Sequence, residues 1–138
     1  MDPKIWDIVR QDARYAYEAY EFVCEAVTYT QERLGRAPGG DEDPEEDHHV
    51  SGAELARGVC ELAVREFGMM APVVFKVWGV KSTDDIGDLV FNLIRAEKLS
   101  KSDRDDPEDF RGLFDLGDAL TKGFELTTAD YAPRKVAD

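Results

Sequence analysis

The segment WGVKSTDDIGDLVFNLI, Trp78–Ile94, decides the fold class. Gly79 is a natural helix stop, because a residue without a Cβ turns left-handed at little cost. Ser82 followed three residues later by Asp85 is a capping box, in which hydroxyl and carboxylate satisfy each other's orphaned backbone amides. Ile86, Leu89, Val90, Leu93 and Ile94 then recur at the spacing of one helix face. A helix end, a short turn and a capped second helix make a helix-turn-helix. That unit packs helices, and in many proteins it places its second helix in DNA.

Upstream, MMAPVVFKVWG (Met69–Gly79) carries one charge, Lys76, and has Pro72 where a first helical turn tolerates proline. A helix apolar on nearly all sides is expected at the centre of a fold. Before it, Ser51 and Glu54 form another capping box, and Leu55, Val59, Leu62, Ala63 and Phe67 mark the inner face of a helix over 51–67. Asp2-Pro3 starts the first helix. Periodicity continues to Leu34 with a break near Gln11–Arg14, where Asp12 is expected to cap a new helix. That second helix, 15–34, puts Tyr15, Ala19, Phe22 and Ala26 inward and Tyr17 on its polar side.

Downstream of Ile94 the pattern weakens. Two short extended pieces near 98–102 and 109–114 make a candidate hairpin wing. Asp115 can cap a last helix, Leu116–Phe124, and 126–138 is expected to be irregular. The expected fold is therefore mainly α. It is a small helical bundle with a helix-turn-helix, winged-helix-like core (51–67, 70–78, 84–98) packed by helix 15–34. A single domain spans 1–125 and carries an acidic loop at 36–48.

Charge bears on function. The 138 residues hold 17 Lys and Arg against 30 Asp and Glu, a formal charge of −13, with the excess acid mostly in 41–47 and 101–120. A duplex reader needs cations against phosphates. Here the supposed reading end of the second helix carries Asp84, Asp85 and Asp88, which suit the helix dipole and repel a phosphate backbone. Nucleic-acid binding by a winged-helix-like regulator is thus the alternative, not the main expectation. Asp41 and Asp43 have the opening spacing of a calcium loop, but its turn glycine is Glu46 and its twelfth position is Gly52, so the segment reads as a solvated acidic linker. His48-His49 point in different directions, and no metal or other cofactor is expected. Nucleophile-elbow, phosphate-loop, zinc-helix and dinucleotide fingerprints are all absent from the sequence, so no catalytic residue is assigned and a small enzyme with carboxylate chemistry is the least favoured reading. Cys24 and Cys60 fall inside helices and read as small buried hydrophobes.

No apolar run approaches the roughly 20 residues that span a bilayer, and the N-terminus lacks a basic start with an apolar stretch. No membrane association is expected, and the cytoplasm is the default location. What remains is a non-enzymatic protein-protein interaction or regulatory module. Its candidate contact residues are the aromatics Tyr17, Phe91, Phe110 and Phe114, set beside acidic rims that suit a basic partner. Self-association through Trp6 and the first helix is the other route.

Three blocks, AYEFVCEAVTYT (Ala19–Thr30), His49–Ile94, and LSKSDRDDPEDF (Leu99–Phe110) with the following FDLGDAL, give the chain a resemblance to a bacterial family of uncharacterised proteins, the Minf type. The blocks cover most of 15–120, and the middle one is the specific one. The acidic loop is longer and richer than the family pattern. The resemblance implies no activity and transfers no catalytic residue.

Overall fold

Asp-Pro starts the chain's first helix, α1 (Pro3–Gln11), as its chemistry requires: the Asp2 carboxylate accepts the Lys4 amide at 2.9 Å, and Pro3 occupies the first turn. The computed structural model describes residues 2–35, 50–99 and 106–121. α1 closes at Asp12, whose N–H donates to the Ile8 carbonyl at 2.8 Å, so the break falls where the polarity rises. Asp12 does not cap the next helix, however. Its carboxylate turns to Arg14, accepting from Nε at 2.9 Å and Nη2 at 2.7 Å. α2 (Tyr17–Arg33) begins at Ala16 with no side-chain cap. The link is held from outside instead: the Ala16 amide donates to the Trp78 carbonyl at 3.1 Å.

α3 (Gly52–Phe67) begins with the expected capping box, Glu54 amide to Ser51 Oγ at 3.1 Å and Ser51 amide to Glu54 Oε1 at 3.0 Å. It lies against α2 so closely that a Cβ on Gly58 would stand 1.8 Å from Thr30 Oγ1. A 3-10 turn, Gly68–Met70, leads into α4 (Ala71–Trp78), which ends on Gly79 in the left-handed region at φ +87°. α5 (Thr83–Arg95) follows. Asp85 accepts the amides of Lys81 at 2.8 Å and Ser82 at 3.2 Å. The stripe Ile86, Leu89, Val90 and Leu93 is buried as its spacing requires. α5 stops three residues short of the expected Lys98, because Glu97 turns left-handed at φ +64° and the Lys98 amide returns to the Leu93 carbonyl at 2.9 Å.

The core joins α2, α3 and α5 through Tyr20, Val23, Val59, Cys60, Ile86, Leu89 and Leu93, each 2% exposed or less. The chain is mainly helical, as expected, but two expectations change. α4 is not central: only Ala71 and Phe75 of that helix are buried, while Val73 is 48% and Val77 75% exposed. The wing also changes. Pro107–Phe110 is a 3-10 turn begun by Asp106, not a strand, and no strand occurs among the described residues. The apolar Phe110 decides this. It drops onto α5, where a Cβ on Gly87 would lie 2.8 Å from Phe110 Cβ, and that anchor curls the segment into a turn. α6 (Leu116–Thr121) is seated by Asp115, which accepts the Asp118 amide at 2.9 Å. The acidic run 41–47, His48-His49, positions 100–102 of the candidate wing and the tail from 126 lie outside the described residues. Within them no helix is long and apolar enough to cross a membrane.

Candidate interaction surface

The four aromatics singled out from the sequence fall into two pairs. Tyr17 and Phe110 are buried, at 5% and 4% exposure, which overturns their expected exposure. α1 folds back over Tyr17, which joins the buried core. Its ring stacks on Trp6 at a centroid distance of 4.7 Å, and its hydroxyl accepts the Asp2 amide at 2.6 Å. Trp6 is half-buried in that contact. Phe110 fills the seat on α5 and meets Phe91 edge to face at 6.4 Å. Phe91 and Phe114 are half-buried and pack against the core.

The N-terminal end of α5 is occupied from within. Asp84 accepts the Gly112 amide at 2.9 Å, and Thr83 Oγ1 accepts the Leu113 amide at 3.2 Å. The Tyr15 hydroxyl lies between Asp85 Oδ1 at 2.6 Å and Asp88 Oδ2 at 3.0 Å, and Arg14 Nη1 reaches Asp88 at 3.1 Å. Burial, with the two carboxylates that hold its proton, pushes the Tyr15 phenol above its ordinary range. The three aspartates at the N-terminal part of α5 are thus groups that fasten it to the protein.

The surface feature that sequence reasoning missed is the outer side of α4. Met69 is 93% exposed, Met70 55%, Val73 48% and Val77 75%. Positions 69, 73 and 77 are four apart, so they stack along one face of the turn and helix, with Met70 beside them. The opposite side of α4 is glued down: Phe75 and Trp78 stack at 5.5 Å, and Phe22 meets both, at 5.9 and 5.4 Å. α4 is therefore a rigid rod with one face in an aromatic cluster and an apolar stripe in water. Scattered exposed hydrophobics are ordinary, but a stripe on one face of one element is a candidate interaction site. The signal was in the sequence, as a helix apolar all round. That composition fits a buried helix and a helix awaiting a partner equally well.

A second feature is an open cleft of about 530 Å³ between α1 and the end of α5. Asn92, 4% exposed, stands at its base. The Asn92 amide donates to Asp12 Oδ2 and to the Tyr20 hydroxyl, both at 3.0 Å, and its Oδ1 accepts from Arg95. The Arg14 guanidinium, helped by Asn92, holds the Asp12 carboxyl well below the usual carboxylate range. The cysteines offer no thiolate at neutral pH, because burial pushes Cys60 up to about 12 and raises Cys24 as well.

Comparison with known proteins gives no match: no family, no curated protein and no solved structure aligns significantly with this chain.

Proposed function

We propose that the chain is a protein-interaction module that docks an apolar-faced helix of an acidic partner along α4. The carrying observation is the stripe Met69, Met70, Val73, Val77, held outward by a helix whose other face is locked. Methionines adapt to varied apolar partners, and stacked positions four apart suit helix-on-helix docking. Charge selects the partner. From Phe67 to Thr83 the only charged residues are Lys76 and Lys81, in a chain of net charge −13, and both lysines are exposed. The stripe is thus flanked by cations in an otherwise acidic molecule. That favours acidic flanks on the partner over the basic partner that overall charge called for. It also disfavours a second copy, whose own α4 would bring lysines and not acids to the seam.

The Minf-type resemblance is carried forward as part of this proposal. Its middle block spans α3, α4 and α5, and it adds no activity. The winged-helix-like regulator is the weaker reading, since α5 spends its N-terminal aspartates inside the protein and the 107–110 turn covers Gly87.

The test uses fluorescence anisotropy with labelled amphipathic helical peptides of one apolar stripe, flanked by either Glu or Lys. The Glu-flanked peptide binds more tightly, and Val77→Asp weakens it by about tenfold or more. Unchanged binding in Val77→Asp refutes the proposal. So does sedimentation showing a dimer that Val77→Asp dissolves, which would assign the face to a second copy.

A further inference from the structure

We propose that the cleft between α1 and the end of α5 binds the carboxylate or phosphate group of a small organic anion. The inference is independent of the α4 surface. The cleft has the size of a small-ligand site, about 530 Å³. Its charged lining is two acids, Asp7 and Asp12, and two cations, Lys4 and Arg95, which looks neutral until each group's other partner is counted. Asp7 is engaged by Arg10, and Asp12 by Arg14 and Asn92. Both acids are therefore satisfied by cations outside the lining.

The two cations are not satisfied in this way. Among the described residues the Lys4 ammonium has no ion-pair partner, and Arg95 has only its bond to the neutral Asn92 amide. That bond orients the guanidinium from a buried base, leaving its remaining donors for a ligand. Arg95 also sits in the last turn of α5, where its charge offsets the negative end of the helix dipole. A planar fork and an ammonium across a cleft match an oxyanion head group. The Gln11 amide lies on the same wall and can add a neutral donor, while Ile8 and Ala96 offer apolar surface to the body of the ligand. A preformed network carries this arrangement, because Asn92 has both amide hydrogens and its oxygen used.

The experiment is an NMR titration of the full chain at 0.15 M salt with three probes of one shape: benzoate, phenyl phosphate and uncharged benzyl alcohol. Saturable shifts of α1 and Asn92–Ala96 amides are expected for at least one anion and not for the alcohol, and the stronger anion identifies the head group. Arg95→Gln weakens binding by about tenfold or more. Lys4→Gln, at an exposed position whose ammonium has no ion-pair partner among the described residues, weakens it by about threefold or more. Lys81→Gln removes an equal charge outside the cleft and changes it by less than about twofold. No saturable shift up to about 10 mM of either anion, equal binding of benzyl alcohol, or equal losses in Lys4→Gln and Lys81→Gln would overturn the proposal.

Discussion

Gly79→Ala tests the joint that holds the bundle together. Gly79 ends α4 at φ +87°, and an added Cβ would stand 2.4 Å from the Arg14 carbonyl oxygen. Two separate costs follow. The left-handed backbone costs a residue with a side chain about 1–2 kcal/mol. The contact adds a second cost, because its partner is backbone and cannot swing aside. Arg14–Ala16 must move, and the Ala16 amide then loses the Trp78 carbonyl it reaches at 3.1 Å, a bond worth about 0.5–1.5 kcal/mol. Together the loss is about 1.5–3.5 kcal/mol, a large fraction of a domain's stability.

Gly35→Ala separates the two costs. Gly35, just past the end of α2, also has positive φ, +71°, but nothing among the described residues lies within 4 Å of its added Cβ, so it bears the backbone cost of about 1–2 kcal/mol alone. Urea unfolding followed by far-ultraviolet circular dichroism measures both variants against the parent. The Gly79 variant should lose about 0.5–1.5 kcal/mol more than the Gly35 variant, with an unchanged dependence on urea. Equal losses would refute the claim that the α1–α2 link is pressed against Gly79.

Two other sites make shorter tests. Among the described residues Thr30 Oγ1 is buried with no hydrogen-bond partner, so Thr30→Val, which keeps the shape and removes the polar atom, should raise stability by about 1 kcal/mol; urea midpoints check it. The Asp12 carboxyl titrates lower in the folded chain than in the unfolded one, so its contribution is present above the ordinary carboxylate pKa of about 4 and is lost as pH falls below that. Asp12→Asn should therefore be less stable than the parent at pH 7, and the gap should narrow as pH falls from 4 to about 2; thermal melts across that range check it.

Local chemistry was legible where a few adjacent residues settle it. Asp2-Pro3, Ser51 with Glu54, and Gly79 each specify a helix end through bonds spanning at most four residues, and the boundaries fell beside them. Where the partner is distant, the same logic failed. Asp12 has the chemistry of an N-cap, yet Arg14 and the far Asn92 outbid the α2 amides for its oxygens. Tyr17 is on the polar side of α2 by periodicity, and only the return of α1 buries it. Phe110 was placed in a strand because nothing local reveals the seat at Gly87. Nothing in its local sequence marks Asn92, which Tyr20 and Asp12 reach from across the bundle and Arg95 from the next turn of α5.

α4 joins these observations to function. Its residues satisfy every local criterion for a central helix, so the exposure of Met69, Val73 and Val77 cannot come from a weak apolar pattern. It comes from what the rest of the bundle leaves uncovered. α5 is apolar on one side only, and the N-terminal part of its polar side is engaged by Tyr15, Arg14, Gly112 and Leu113. The two halves of the helix-turn-helix therefore have opposite fates. The second helix, which a DNA reader would present, is fastened inward by its three aspartates. The first, which a DNA reader would use as support, carries the free apolar face. A partner that recognised this unit would meet α4, with Lys76 and Lys81 at its edges. Reversing Lys76 to Glu should therefore weaken an acidic helix and leave the fold unchanged, since Lys76 is exposed and an exposed charge contributes little to stability.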